Sequence, residues 1–173
     1  MDYAIEKREL FLMQQTYATL VSLANKLENH GDKYFRDLTA RQYMAILAVF
    51  HLPPEETTIK NIALKLGTTK QNANRMIATI QKKGYITVSS CENDKRAVNI
   101  KVTDSGLQTM LECSEIGINF MADIFKDFDE QELAVLWNLL KKLHRFDGED
   151  YSGFEEDATP RFDVETSACR QEC

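Results

Sequence analysis

The sequence predicts a mainly α-helical protein with one small β-hairpin. Three observations lead there. Apolar residues recur at spacings of three and four through most of residues 3–146. One stretch, 85–102, switches to β-branched and aromatic residues, alternating with polar ones in its second half. Pro53, Pro54, Gly67 and Gly84 fall at the joints between these blocks, where helices stop.

The first segment, about Tyr3 to Glu28, reads as a long helix. It contains no proline or glycine, and Leu10, Met13, Tyr17, Leu20, Val21, Ala24 and Leu27 share one face. Gly31 reads as its stop. Such a long terminal helix is expected to pack on something outside its own domain. The second helix starts at a capping box, Thr39-Ala40-Arg41-Gln42, in which Thr39 caps the backbone and Gln42 reaches back. Tyr43, Ile46, Leu47 and Phe50 form its apolar face, and Pro53-Pro54 ends it. Thr57 or Thr58 caps a third helix that buries Ile59, Ile62, Ala63 and Leu66 and stops at Gly67.

The fourth helix, 69–83, follows a very short turn, with Thr68 or Thr69 as its cap. Ala73, Met76, Ile77 and Ile80 make a single apolar stripe. Lys70, Gln71, Asn74 and Arg75 occupy the other side, with Asn72 at its border. After Gly84 come Tyr85, Ile86 and Val88, then a polar turn, then Val98, Ile100 and Val102: a two-stranded hairpin with a charged tip. A fifth helix begins near Thr103 to Ser105 and runs through Leu107, Met110, Leu111, Ile118, Met121 and Phe125, with Gly117 marking a bend or a close helix contact. A sixth starts at a second capping box, Asp129 with Glu132, with Phe128 placed to staple onto Leu133, and continues through Trp137, Leu140 and Leu143. The tail 147–173 holds nine acids and two arginines, a net charge of −7, and is expected to be mobile apart from a short docked turn around Phe154 or Phe162.

Bulk properties narrow the functional classes. The longest apolar run, Met44 to Phe50, is far short of the ~20 residues a membrane span needs. The charged N-terminus does not make a signal peptide, so a cytoplasmic protein is expected. Cys91, Cys113, Cys169 and Cys173 read as free thiols, and their spacing offers no metal site. No glycine-rich phosphate loop, metal-ligand cluster or nucleophile motif is present, and His30, His51 and His144 are scattered. Neither an enzyme nor a cofactor is expected.

The net charge of −6 conceals an asymmetry. Residues 57–103 carry nine basic and two acidic side chains, a local charge of +7. A basic module in an acidic chain is either a polyanion-binding surface or a solvated face that happens to be basic.

Two short helices joined by a tight turn, followed by a hairpin, make a winged helix-turn-helix. The major groove of DNA admits one helix, which must bury one face on its own domain and present hydrogen-bonding groups on the other. The fourth helix has that division. Thr69, Lys70, Gln71, Asn72, Asn74 and Arg75 are its candidate base-contacting residues, the asparagines suited to adenine edges and Arg75 to guanine. Lys60, Lys65, Lys82, Lys83 and Lys101 are placed for phosphates. In the wing, Arg96 can reach a minor groove beside Lys95, with Asp94 either holding a guanidinium or serving as an ordinary turn residue.

The run Leu64-Lys65-Leu66-Gly67-Thr68-Thr69-Lys70-Gln71-Asn72-Ala73-Asn74-Arg75 resembles the helix-turn-recognition-helix of the MarR family. Ile80-Gln81-Lys82-Lys83-Gly84-Tyr85-Ile86 is similar to that family's exit into the wing. Asp94-Lys95-Arg96-Ala97, and then Val102-Thr103-Asp104-Ser105-Gly106, resemble its wing signature and return to helix. Leu38 to Tyr43 fits its second helix, so the likeness extends over roughly residues 5–146. Asn72 and Asn74 stand where the family often has Ser or Thr, and Ser89 replaces a basic residue at the wing entrance.

The resemblance implies a homodimeric transcriptional regulator, a repressor, that reads a pseudo-palindrome in double-stranded DNA. It implies dimerisation through residues 1–36 and 104–146, DNA binding through 37–103, and a separate acidic tail over 147–173. It also implies release by a small aromatic or phenolic ligand, for which Tyr17, Tyr43, Met44, Phe50 and His51 are candidate lining residues. Residues of these types at helical spacing are also ordinary core. A winged-helix protein-interaction module without specific DNA binding is the alternative. It would lack the basic and amide groups that Lys70, Gln71, Asn74 and Arg75 supply.

Overall fold

The computed structural model describes residues 6–90, 98–148 and Phe154. Its elements run α1 (Lys7–Gly31), α2 (Ala40–His51), a 3₁₀ turn (Pro54–Glu56), α3 (Ile59–Lys65), α4 (Lys70–Lys82), β1 (Ile86–Ser90), β2 (Val98–Val102), α5 (Asp104–Phe125) and α6 (Glu130–His144). Side-chain caps set most helix starts. Thr39, Thr58, Thr69, Thr103 and Asp129 each accept a hydrogen bond from the backbone N–H three residues on. Both anticipated capping boxes, Thr39 with Gln42 and Asp129 with Glu132, are formed. Each such cap stabilises a helix by about 1 kcal/mol. Gly67 and Gly84, at φ +60° and +80°, take the left-handed conformation that closes α3 and α4.

The core lies where α2, α3, α4 and the hairpin meet. One isoleucine from each element, Ile46, Ile62, Ile80, Ile86 and Ile100, is fully buried there. Each such side chain contributes roughly 1.5–3 kcal/mol of apolar burial. The strands pair antiparallel, with Ile86 opposite Val102 and Val88 opposite Ile100. The Ile100 N–H reaches beyond the hairpin to the Thr57 carbonyl at 3.0 Å, so the chain entering α3 lies along the open edge of β2. At the hairpin base, the Thr103 N–H donates to the Tyr85 carbonyl (3.0 Å), and the Thr103 hydroxyl to the Gly84 carbonyl (2.7 Å). These bonds fasten the start of α5 to the foot of the wing.

The terminal helices differ in character. On α1, Leu10, Phe11, Leu12, Met13, Tyr17, Val21 and Leu23 are all exposed. No residue of α6 is buried, and Val135, Trp137, Leu139, Leu140 and Leu143 face outward. The end of α1 is tied to α5 by the Asp123 carboxylate. It pairs with His30 Nε2 at 3.0 Å and accepts from the Tyr34 hydroxyl at 3.1 Å, beside the packed rings of His30, Tyr34 and Phe120.

Several sequence expectations are revised. Gly31 is the last residue of α1 rather than a stop beyond it. A Cβ there would stand 2.9 Å from the Ala40 Cβ, so its role is to let α2 start against α1. Thr57 is not a cap: it is buried, and its hydroxyl donates to the Pro54 carbonyl at 3.0 Å within the unanticipated 3₁₀ turn. Gly117 does not interrupt α5 and packs near the Tyr43 hydroxyl. No helix among the described residues is long and apolar enough to cross a membrane.

Candidate nucleic-acid interface

The chemistry of α4 follows from its division into two faces. Ala73, Ile77 and Ile80 are buried against α2, α3 and β1, which fixes the helix rotationally. The same rotation leaves Thr69, Lys70, Gln71, Asn74 and Arg75 exposed together. Thr69 is the cap, accepting from the Asn72 N–H at 3.2 Å, so its hydroxyl is partly spent on structure. Asn72 is half-buried, and its Oδ1 accepts from Arg75 Nη2 at 3.0 Å. That bond aligns the guanidinium along the outer face, which lowers the ordering cost of a bidentate contact. Beside it lies a cleft of about 280 Å³ between α4 and the start of α2, lined by Arg41, Gln42, Asn72, Arg75 and Thr79 among others.

The five expected phosphate-binding lysines separate into two groups. Lys60 at the start of α3, Lys82 at the end of α4 and Lys101 on β2 are exposed. Lys83 is also exposed but is engaged within the domain. Its ammonium donates to the Asp37 carbonyl and, at 3.0 Å, to the Gln42 side-chain oxygen, which already completes the α2 capping box. Lys83 thus ties the end of α4 to the start of α2. Lys65 is half-buried, its ammonium 5.4 Å from the centroid of the Phe154 ring, and burial lowers its pKa from the usual lysine value. Asp94, Lys95 and Arg96 lie outside the described residues, as do Cys91, Cys169 and Cys173.

The five residues proposed to line a ligand pocket do not converge. Tyr17 is 72% exposed on α1. Tyr43 stacks on Phe35 (centroids 4.8 Å), and burial raises its phenol pKa. Phe50 packs at the edge of the core, and His51 sits edge-on to Phe154 at 5.4 Å. Burial, and then the Lys65 charge, lower the His51 pKa. Met44 alone of the five lines a cavity of about 530 Å³, which is bounded by α1, α2, the α3–α4 turn, α5 and Phe154. Its walls include Leu27, Met44, Leu66, Met76 and Phe120. Those residues come from separate elements, and no local periodicity in the sequence signals their meeting. Besides Met44, Phe154 carried a signal, as an aromatic residue in an acidic stretch.

A buried-backed helix with an exposed amide and guanidinium face, presented by a tight turn and flanked by a hairpin, defines a winged helix-turn-helix protein. Comparison with known proteins shows what the chain is similar to. The family model described as the MarR family matches residues 36–97. A MarR/EmrR family transcriptional regulator from Acinetobacter sp. ADP1 has the same fold. It is 25% identical, with a TM-score of 0.68 over 80% of this chain and 99% of that one. A mutant MarR from E. coli, solved in complex with operator DNA, is 24% identical, with a TM-score of 0.65 over 78% of this chain and 97% of that one. An organohalide-sensing transcriptional regulator in its 2,4-dichlorophenol-bound form shares the fold at 15% identity, with a TM-score of 0.69 over 84% and 89%. Residues 36–97 of this chain thus match the MarR family model, and the whole winged helix-turn-helix has the fold of these regulators.

Proposed function

We propose that this protein is a sequence-specific DNA-binding transcriptional regulator, a repressor, that works in the cytoplasm as a homodimer. The observation that carries this reading is the outer face of α4. Lys70, Gln71, Asn74 and Arg75 are exposed in a row while the opposite stripe is buried. Those groups pair with base edges in the major groove, Arg75 with guanine and Asn74 with adenine. Lys60, Lys82 and Lys101 supply phosphate contacts, which give affinity and register without sequence information. The wing residues Asp94, Lys95 and Arg96, which lie between β1 and β2 in the sequence, are proposed to contact a minor groove.

The homodimer follows from the unpartnered apolar faces of α1 and α6. A monomer would leave Leu12, Tyr17, Trp137 and Leu139 in water, a patch of the kind that marks an interface. A two-fold dimer presents two α4 helices to half-sites roughly 34 Å apart, about one DNA turn. The cavity beneath α2 suits a small aromatic ligand whose binding changes how α4 is presented. The E. coli relative with operator DNA and the dichlorophenol-bound relative support the two halves of this reading.

Selection from a random duplex pool at physiological salt tests it. Enrichment of an inverted repeat with half-site centres about 10 bp apart is the expected result. A pool that stays random through repeated rounds would refute the proposal.

A further inference from the structure

By residue type Asn72 is a base reader, but its place on α4 separates it from the other candidates. Asn72, Arg75, Met76 and Thr79 follow one another at i, i+3, i+4 and i+7 and line the cleft between α4 and the start of α2. Asn72 is half-buried on that flank, while Lys70, Gln71 and Asn74 are exposed. Its backbone is fixed as well, because its N–H donates to the Thr69 cap at 3.2 Å. To pair with an adenine edge, an asparagine accepts from the base through its oxygen and donates through its amide nitrogen. Here Asn72 Oδ1 accepts from Arg75 Nη2 at 3.0 Å instead. A guanidinium has N–H groups to spare for a guanine edge, so Arg75 can read while one of them is held.

We infer that Asn72 is a positioning residue: it contacts no base, and it sharpens the preference for guanine by holding the Arg75 guanidinium at the edge of the reading face. The inference rests on the DNA-binding reading above. An unrestrained arginine on a helix surface samples many rotamers and loses that freedom when it docks on a base. Asn72 restricts it beforehand, at a spacing where helix side chains meet. The neutrality of the partner matters as much as its reach. A carboxylate would hold the guanidinium more tightly, but it would cancel the charge that attracts DNA. Among the described residues no carboxylate pairs with Arg75, whereas Arg41, the other guanidinium on the cleft, is paired with Glu28 of α1. The amide therefore orients Arg75 without neutralising it.

The test measures DNA binding, by fluorescence anisotropy, of full-length wild type, Asn72→Ala, Asn72→Asp, Arg75→Ala and the double variant Asn72→Ala/Arg75→Ala. The probes are the duplex enriched from a random pool and the same duplex with one change: the guanine whose preference Arg75→Ala relaxes becomes adenine in both half-sites. Thermal melts confirm that each variant folds. Asn72→Ala is expected to lower the guanine-over-adenine preference roughly two- to tenfold per half-site, the range that ordering one such side chain spans. The double variant is expected to match Arg75→Ala, because Asn72 has nothing to act on once the guanidinium is gone. Asn72→Asp keeps an accepting oxygen, so it should retain the preference while binding both duplexes more weakly. Wild-type preference in Asn72→Ala overturns the inference. A further loss in the double variant, or a loss at a different base pair, also overturns it, since either makes Asn72 a reader in its own right. Equal loss of preference in Asn72→Asp and Asn72→Ala means that the oxygen does not hold Arg75, and the inference fails on that result as well. Failure of wild type to enrich any duplex overturns the DNA-binding reading instead, and this inference falls with it.

Discussion

Gly106 and Gly117 lie on the same helix, and alanine at the two positions should move stability in opposite directions. At Gly106 a Cβ would stand 2.0 Å from the Tyr85 carbonyl oxygen and 2.9 Å from Val102 Cγ1. The obstacle is backbone that cannot rotate away. The same carbonyl also holds the Thr103 N–H at 3.0 Å, so making room strains the junction between wing and α5. Overpacking of this kind costs roughly 1–3 kcal/mol, and a lost hydrogen bond about 1 kcal/mol more. Part of alanine's helix preference, at most about 1 kcal/mol, offsets this. The net expectation for Gly106→Ala is a loss of about 2–3 kcal/mol. At Gly117 the nearest obstacle is the Tyr43 hydroxyl at 3.8 Å, an ordinary contact. Gly117→Ala should therefore gain about 0.5–1 kcal/mol from helix propensity. Urea unfolding followed by circular dichroism, at one fixed protomer concentration, separates the two. The Gly106→Ala midpoint should fall by roughly 1 M or more and the Gly117→Ala midpoint should rise slightly. The packing argument is refuted if Gly106→Ala stays within about 1 kcal/mol of wild type, or if Gly117→Ala is equally damaging.

Three further outcomes are expected. Leu139→Glu on the exposed face of α6 places a charge in the proposed dimer interface, so sedimentation should show a shift toward monomer and operator affinity should drop at least tenfold, roughly 1.4 kcal/mol or more; a stable dimer of wild-type affinity would count against that interface. The Asp123 carboxyl is held below the usual carboxylate range first by its hydrogen bond with His30 and then by that from Tyr34. A depressed carboxyl contributes stability that is present above the unfolded value of ~3.9 and lost as pH falls through the lower folded value. Wild-type stability should therefore drop more steeply than that of Asp123→Asn as pH falls below about 4, and parallel acid limbs would remove the linkage. Cys113 is buried, and burial, then Asp37 and Glu112, raise its thiol pKa. With Cys91, Cys169 and Cys173 replaced by Ser, the remaining thiol should resist a disulfide reagent until urea is added; prompt native-state labelling contradicts this.

Local signals in the sequence located most elements and missed their long-range partners. The caps Thr39, Thr69 and Asp129 were legible because capping depends on residues three apart. The two-faced character of α4 was legible because burial follows a 3.6-residue period. The docking of 57 onto β2 was not, since it joins Thr57 to Ile100 through backbone groups that every residue carries. Lys83 could not be told from Lys82 by charge. Only the approach of α4 to α2 commits one ammonium to Gln42 and Asp37 and leaves the other outside. The candidate pocket residues do not gather at the cavity for the same reason. Tyr17, Tyr43 and Met44 each sit on a plausible helical stripe, but the cavity draws residues from several elements and takes only Met44 among the five.

The central claim, that the outer face of α4 reads bases, is tested most directly by comparing Arg75→Ala with Lys82→Ala on the selected operator and on an unrelated duplex. Arg75→Ala should cost about 1–3 kcal/mol on the operator and much less on the unrelated duplex, relaxing preference at one base pair per half-site. Lys82→Ala should weaken both duplexes alike and reduce the salt dependence by about one ion. If Arg75→Ala weakens the two duplexes equally, Arg75 is a phosphate contact and the assignment of α4 as the reading element is contradicted.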